Sequence, residues 1–281
     1  MSKSNSIECR MKRYEGVSKN FLTRKVPVII RIDGKAFHTF TKGMQKPFDR
    51  ILMTAMQETM KYLCENIQGC VLGYTQSDEI TLVLTDYKKI TTDAWFEYNV
   101  QKITSIAASM ATMAFNKFFS DEVNKNYTYF TATESGCKFV DNIDEFDKQF
   151  RNYYSKIGNA MFDARCFNIP KEEVCNCLIW RQQDATRNSI ESVGQAYFSH
   201  NELKYKKCDV VQDMLFIEFG INWNNYSTDC KRGSCCYKSP ITKTVVNPKT
   251  NEEMEVVRNS WIIDTEIPIF TQDREFIERW L

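Results

Sequence analysis

The order of apolar segments predicts an α+β chain built on a split-βαβ, ferredoxin-like core, an antiparallel sheet with helices on one face. Short β-rich runs occur at 26–32, 70–75, 80–85 and 164–169. Two stretches of helical period separate them, one from about Phe48 to Ile67 and one from about Ala94 to Phe119. The order is therefore strand, helix, strand, strand, helix, strand. In its usual arrangement, four-one-three-two, strands one and three are antiparallel neighbours.

Each element has its own reason. Residues 26–32 form a continuous β-branched run, with Gly34 as the break. Ile51, Leu52, Ala55, Met56, Met60, Leu63 and Ile67 recur at intervals of three and four, and Gly69 ends that helix. The 70–75 and 80–85 runs flank Gln76-Ser77-Asp78-Glu79, the spacing of a hairpin with a polar tip. Phe96, Val100, Ile103, Ala107, Met110, Ala114 and Phe118 mark the second helix, and Pro170 stops the fourth strand. Residues 127–136 and 142–156 are less regular. Residues 171–200 and 210–219 read as helices, and 235–246 and 255–265 as β-leaning segments. A short helix at 11–15 lies in a charged N-terminal arm. The expected organisation is a catalytic unit over 1–170 and a helical and β extension over 171–281 packed on it.

Composition narrows the function. At 281 residues and 43% hydrophobic, the chain can bury a large core, and its net charge of +1 does not announce a strongly basic nucleic-acid binder. No apolar run approaches a membrane span and the N-terminus lacks a signal core, so a soluble, cytoplasmic protein is expected. The eleven cysteines contain no Cys-x-x-Cys pair, and with two histidines they read as reduced, buried thiols rather than zinc ligands. Two histidines also leave little room for histidine-based hydrolysis.

The predicted topology places the end of strand one beside the start of strand three. Asp33 stands at the former and Asp78-Glu79 at the latter. Magnesium takes hard oxygen ligands and keeps several waters, so two carboxylates plus substrate phosphates suffice. Paired ions would let one activate the attacking oxygen while the other steadies the triphosphate. Gly34 allows a tight turn whose carbonyl can face a metal and whose following amides can converge on phosphate. An Asp-Gly after a strand is ordinarily only a turn; the coincidence of two such acidic ends is what points to nucleotide chemistry. Neither a P-loop nor a dinucleotide-binding glycine motif is present.

Arg31-Ile32-Asp33-Gly34-Lys35-Ala36-Phe37-His38 and Gln76-Ser77-Asp78-Glu79 resemble signature segments of the tRNA-histidine guanylyltransferase family and its guanylyltransferase-like relatives. The likeness continues in Lys46-Pro47-Phe48-Asp49, Trp180-Arg181-Gln182-Gln183-Asp184, Glu218–Asn225 and Lys231-Arg232-Gly233-Ser234. Any one match is weak; the ordered set is strong. The resemblance implies a polymerase-type palm that adds nucleotides to the 5′ end of tRNA. A 5′-monophosphate is activated with ATP, and the 3′-hydroxyl of an incoming nucleoside triphosphate such as GTP then attacks it. Asp33, Asp78 and the Gly34 carbonyl would hold two Mg2+ ions, and the backbone of Gly34, Lys35, Ala36, Phe37 and His38 would cradle a triphosphate. Lys46, Asp49, Ser77 and Lys102 would contact nucleotide or phosphate. Glu79 would assist metal or substrate, or merely stabilise the hairpin. The family also implies a homotetramer.

One departure matters. Family members that extend histidine tRNA carry His-Ile-Asn-Asn-Leu-Tyr-Asn after the Trp-Arg-Gln-x-Asp stretch, whereas this chain reads Thr186-Arg187-Asn188-Ser189-Ile190-Glu191-Ser192. Asn188 matches and Thr186 replaces the histidine. The difference favours the branch that restores missing 5′ nucleotides by templated addition. Candidate RNA contacts are Arg181, Asn188, Lys204, Lys206, Lys207, Lys231 and Arg232, together with Arg10, Lys12 and Arg13. Two other readings stand beside this one: a nucleotide cyclase on the same palm, and a tRNA-binding protein without catalysis.

Overall fold

The computed structural model describes residues 6–132, 150–246 and 253–281, so the expected irregularity at 127–136 and 142–156 falls partly outside the described residues. An N-terminal helix, α1 (Ile7–Gly16), buries no side chain. Then come β1 (Val28–Gly34), a one-turn α2 (Phe37–Phe40), α3 (Arg50–Asn66), β2 (Cys70–Gln76), β3 (Glu79–Leu84), α4 (Val100–Ala132) and β4 (Phe162–Asn168). The second half holds α5 (Lys171–Tyr197), α6 (His200–Leu203), α7 (Cys208–Phe219), α8 (Thr228–Arg232), β5 (Ser234–Val246), β6 (Glu253–Asp264) and α9 (Glu275–Glu278).

All six strands lie in one antiparallel sheet of order β4-β1-β3-β2-β5-β6. Its first four strands follow the expected four-one-three-two arrangement. The C-terminal hairpin continues that sheet, because β5 pairs with β2 through Gly73↔Cys236, Tyr74↔Cys235 and Thr75↔Ser234.

Side chains alternate between the two faces of β1. Val28, Ile30 and Ile32 pack with Met56, Met60 and Leu63 of α3 and with Ile103, Ala107, Phe115 and Phe119 of α4. Ile29, with Leu72, Tyr74 and Val83, packs instead on Val174 and Leu178 of α5 and on Phe270 and Ile277. Helices on one face were expected. Only α3 and α4 obey that; the extension covers the second face, which is why 26–32 reads as continuously apolar rather than alternating.

The second long helix departs from its predicted start. Residues Trp95–Tyr98 form a separate turn in which Phe96, Glu97 and Tyr98 all have positive φ. The Asn99 side chain then accepts from the Lys102 amide at 3.0 Å, as an N-cap does. Among the described residues, no helix is long and apolar enough to cross a membrane.

Candidate active site

The strand register assembles the acids. Asp33 lies opposite Glu79 of β3 on one side and opposite Asp163 of β4 on the other. The Gly34 amide donates to the Asp78 carbonyl at 3.1 Å, tying the end of β1 to the β2–β3 turn. Ser77 opens that two-residue turn at φ 50°, and its hydroxyl donates to Asp78 Oδ1 at 2.9 Å. Burial pushes the Asp78 carboxyl above the usual carboxylate range. The Ser77 hydroxyl opposes that shift and the nearby Asp33 charge adds to it.

This donor set fits magnesium. Two half-buried carboxylates and a strand-end carbonyl are hard oxygen ligands, and the strain between the acids is relieved by a divalent cation. No group of three or more His, Cys, Asp or Glu side chains is placed to bind a metal among the described residues. Water and phosphate must therefore complete any coordination here, which is magnesium's habit.

Beside the acids lies a groove of about 390 Å³ lined by Gly34, Ala36, Phe37, His38, Thr41, Leu52, Ser77 and Asp78. Ala36 takes the left-handed conformation at φ 54° and turns the chain into α2. Two of the five amides expected to cradle a triphosphate are already engaged. The Gly34 amide serves Asp78, and the Lys35 amide donates to the Met161 carbonyl at 2.8 Å. The amides of Ala36, Phe37 and His38 meet no acceptor among the described residues. The side chains of Lys35 and His38 are exposed, the latter at the groove.

Several expected residues are placed elsewhere. The Asp49 carboxylate is fully engaged. Oδ1 caps α3 by accepting from the Leu52 amide at 2.9 Å, while Oδ2 accepts from the Gln45 amide at 3.0 Å and from the Tyr153 hydroxyl. It organises the loop and the start of the helix. The hairpin end of β1 meets α4 near Thr112, whose hydroxyl accepts from the Phe162 amide opposite Gly34. Lys102 lies ten residues earlier, about 15 Å along the helix at 1.5 Å per residue, with its amine over the Phe96 ring. It is not brought to the acids. Lys46 is exposed on the preceding loop.

Glu79 turns away from solvent. Its carboxylate meets Arg181 Nε at 2.9 Å and Arg31 Nε at 3.6 Å. Burial raises its proton affinity, and those two arginines oppose the shift. Arg181 is itself 5% exposed, which removes it from the RNA-contact set. Asn188 and Arg232 line a cavity of about 80 Å³ that also reaches Ser77. Arg232, Lys231, Thr186, Gln183 and Trp223 line a neighbouring cavity of about 360 Å³. The Lys231 amine donates to the Asn224 carbonyl at 2.7 Å. Lys204, Lys206 and Lys207 are exposed around the α6–α7 turn.

Two residues near the acids escaped the sequence reading. Asp163 and Arg165 of β4 pair opposite Asp33 and Arg31, and Arg165 donates to Asp163 at 2.9 Å on an exposed edge. Their two-residue spacing on a strand that neighbours strand one was the available signal.

Comparison with known proteins gives the family. The family model "Thg1: tRNAHis guanylyltransferase" matches residues 8–170, more than half of the chain. A solved bacterial Thg1-like protein in complex with ATP is 40% identical, with a TM-score of 0.75 and 98% of each chain covered. A second such structure, in complex with GTP, is 38% identical with a TM-score of 0.72, covering 98% of this chain and 99% of that one. A probable tRNA(His) guanylyltransferase of Dictyostelium discoideum is 27% identical over 240 residues, 80% of each protein. With its acids at the joined ends of β1 and β3, the chain belongs to the Thg1 family of tRNAHis guanylyltransferases.

Proposed function

We propose that this protein is a magnesium-dependent 3′-to-5′ nucleotidyltransferase acting on the 5′ end of tRNA, chiefly in end repair. The observation that carries the reading is the placing of Asp33 and Asp78 at strand ends tied by the Gly34 amide, beside a groove lined by Gly34, Ala36, Phe37 and His38. The β4-β1-β3-β2 order with acids at the strand ends supports a polymerase-type palm. ATP and GTP as substrates are supported by the complexes of the similar bacterial proteins. A homotetramer in the cytoplasm belongs to the same reading and rests on family likeness.

Bound magnesium would supply charge neutralisation at the reacting phosphates and lower the pKa of the attacking hydroxyl. The chain's own part is placement. Asp33, Asp78 and the Gly34 carbonyl would hold the ions. The Ala36, Phe37 and His38 amides would fix the triphosphate against its dipoles, and Ser77 would stand beside it at the turn. Phosphoryl and nucleotidyl transfer need in-line positioning and electrostatic stabilisation more than a protein nucleophile. A site without a catalytic Cys or His is therefore sufficient.

The test is incubation of purified protein with labelled ATP and GTP, with and without a tRNA lacking its first 5′ nucleotides. Addition that requires the RNA, and that Asp33→Ala and Asp78→Ala each reduce at least about a hundredfold, is expected. A cyclic product formed without RNA would establish the cyclase instead. Undiminished addition in both variants would overturn the metal site. Full-length histidine tRNA should be the poorer substrate if Thr186 marks the repair branch.

A further inference from the structure

We propose that Arg181 is a positioning residue of the acid site: it holds the Glu79 carboxylate on α5, so that Asp33 and Asp78 are left to face the cation. The proposal rests on the metal-dependent reading above and adds to it a division of labour among three neighbouring carboxylates.

The register makes the problem visible. Asp33 and Glu79 are directly opposed on antiparallel strands, so their side chains project from the same face of the sheet at close range. Asp78 is one residue away in sequence. Three carboxylates converging on one place would repel one another when no cation is bound and compete when one is. The structure resolves this by giving Glu79 a counter-charge of its own. Its side chain is 8% exposed and that of Arg181 is 6% exposed, and Nε stands 2.9 Å from Oε1. The Arg181 N–H is not aimed at that oxygen, so the interaction is a charge contact that depends on where the guanidinium is held.

That guanidinium is held from two further directions. Its second nitrogen donates to Asp184 Oδ2 at 2.5 Å, one turn along α5, and its Cζ lies 4.2 Å from the centroid of the Trp180 ring. Asp184 is in turn bound by Arg187 and lies 3.5 Å from Asn188 Nδ2. Arg31, the other cation at Glu79, stands farther off at 3.6 Å and sits over the same Trp180 ring at 5.6 Å. A helix of the second half thus fixes the direction of a side chain on the hairpin that carries Asp78.

The experiment titrates Mn2+ alone into full-length, nucleotide-free protein and reads bound metal by electron paramagnetic resonance. It compares wild type, Arg181→Met, Glu79→Gln, the double variant and Arg181→Lys. Removing the Arg181 charge frees Glu79 toward the acids, so Arg181→Met should bind Mn2+ about tenfold more tightly. Glu79→Gln leaves the arginine charge in excess and should bind about tenfold more weakly. The double variant should return to near wild-type affinity. Arg181→Lys keeps the charge without the fork, so its affinity should stay within about twofold of wild type.

Weakened binding in both single variants, or a double variant no nearer wild type than either, would overturn the proposal. Arg181→Lys guards against a folding defect, because a purely structural role predicts lost melting temperature in both Arg181 variants with unshifted metal affinity, which also refutes it. Failure of the underlying reading looks different: wild type itself would bind no Mn2+ that Asp33→Ala removes.

Discussion

Gly34→Ala places one methyl group where the structure has no room for it. A Cβ at Gly34 would lie 2.3, 2.6 and 2.7 Å from three ring atoms of Phe37, well inside contact distance. Phe37 cannot swing aside freely. It is 4% exposed and packs against Phe40, Phe115 and Phe162 at centroid distances of 4.9, 5.5 and 5.1 Å. Overpacking of this kind costs about 1–3 kcal/mol. At about 2–4 °C per kcal/mol, the melting temperature should fall by about 2–12 °C. The chemistry should suffer more, because Phe37 opens the turn that lines the groove, and an ångström of misplacement there can cost about a hundredfold. The assay is a thermal melt beside steady-state addition with varied nucleoside triphosphate, where the loss should appear in KM as well as kcat. Phe37→Leu in the Gly34→Ala background trims the ring and should recover part of the stability. A Gly34→Ala protein that melts with wild type and keeps its triphosphate KM would refute the reasoning.

Three further outcomes are expected. Burial raises the Asp78 carboxyl, so the folded protein prefers it protonated; its contribution to stability is full below the ordinary carboxylate range and is lost as pH rises through the raised value. Metal-free Asp78→Asn should therefore melt above wild type at pH 7 by about 1–3 °C, with the gap closing as pH falls to about 4; Mg2+ should raise the melting temperature of wild type and not of the variant. Asp49→Ala should destabilise by about 1–2 kcal/mol through loss of the α3 cap with little change in triphosphate KM, and a selective rise in KM at unchanged stability would restore Asp49 to the nucleotide site. Residues 1–170 expressed alone should fail to melt cooperatively. Ile29, Leu72, Tyr74 and Val83 lose their cover, at about 1.5–3 kcal/mol for each fully buried side chain, and a cooperative calorimetric transition would disprove that.

The fold was legible where pattern and burial coincide. The β-branched run of β1, the three-and-four spacing of α3 and the polar tip between β2 and β3 each lie where the apolar pattern puts them. From those elements alone the neighbouring positions of Asp33 and Asp78 followed. What was not legible has physical causes. Phe96 fits the helical period by spacing alone and is 40% exposed, while backbone hydrogen bonds from Leu22 to Tyr98 and from Val100 to Asn20 hold a left-handed turn that no apolar pattern records. Asp49 stood in a family-like segment and read as a ligand, although Asp directly before a helix is also the usual N-cap. Arg181 read as a surface contact because an arginine is seldom buried without a partner, and its partner Glu79 is 102 positions away in sequence (181 − 79).

The family match ends at residue 170, yet the acid site does not end there. β5 extends the sheet from β2, and Gly233 just before it comes so close that a Cβ would stand 2.3 Å from the Thr75 carbonyl oxygen. The Tyr74 hydroxyl donates to the Arg232 carbonyl at 2.7 Å, while α5 delivers Arg181 to Glu79 and Asn188 to the cavity beside Ser77. The strand carrying the acids therefore has α3 and α4 behind it and the second half in front. An acid pair on the first half alone would face a bare sheet, with Glu79 left to the more distant Arg31 and water screening every charge. Covered by α5 and the β5 lead-in, the same pair works in a less polar setting where fixed dipoles and counter-charges act more strongly. That is the physical reason to treat residues 171–281 as half of the active site's environment and not as an appendage to a finished catalytic unit.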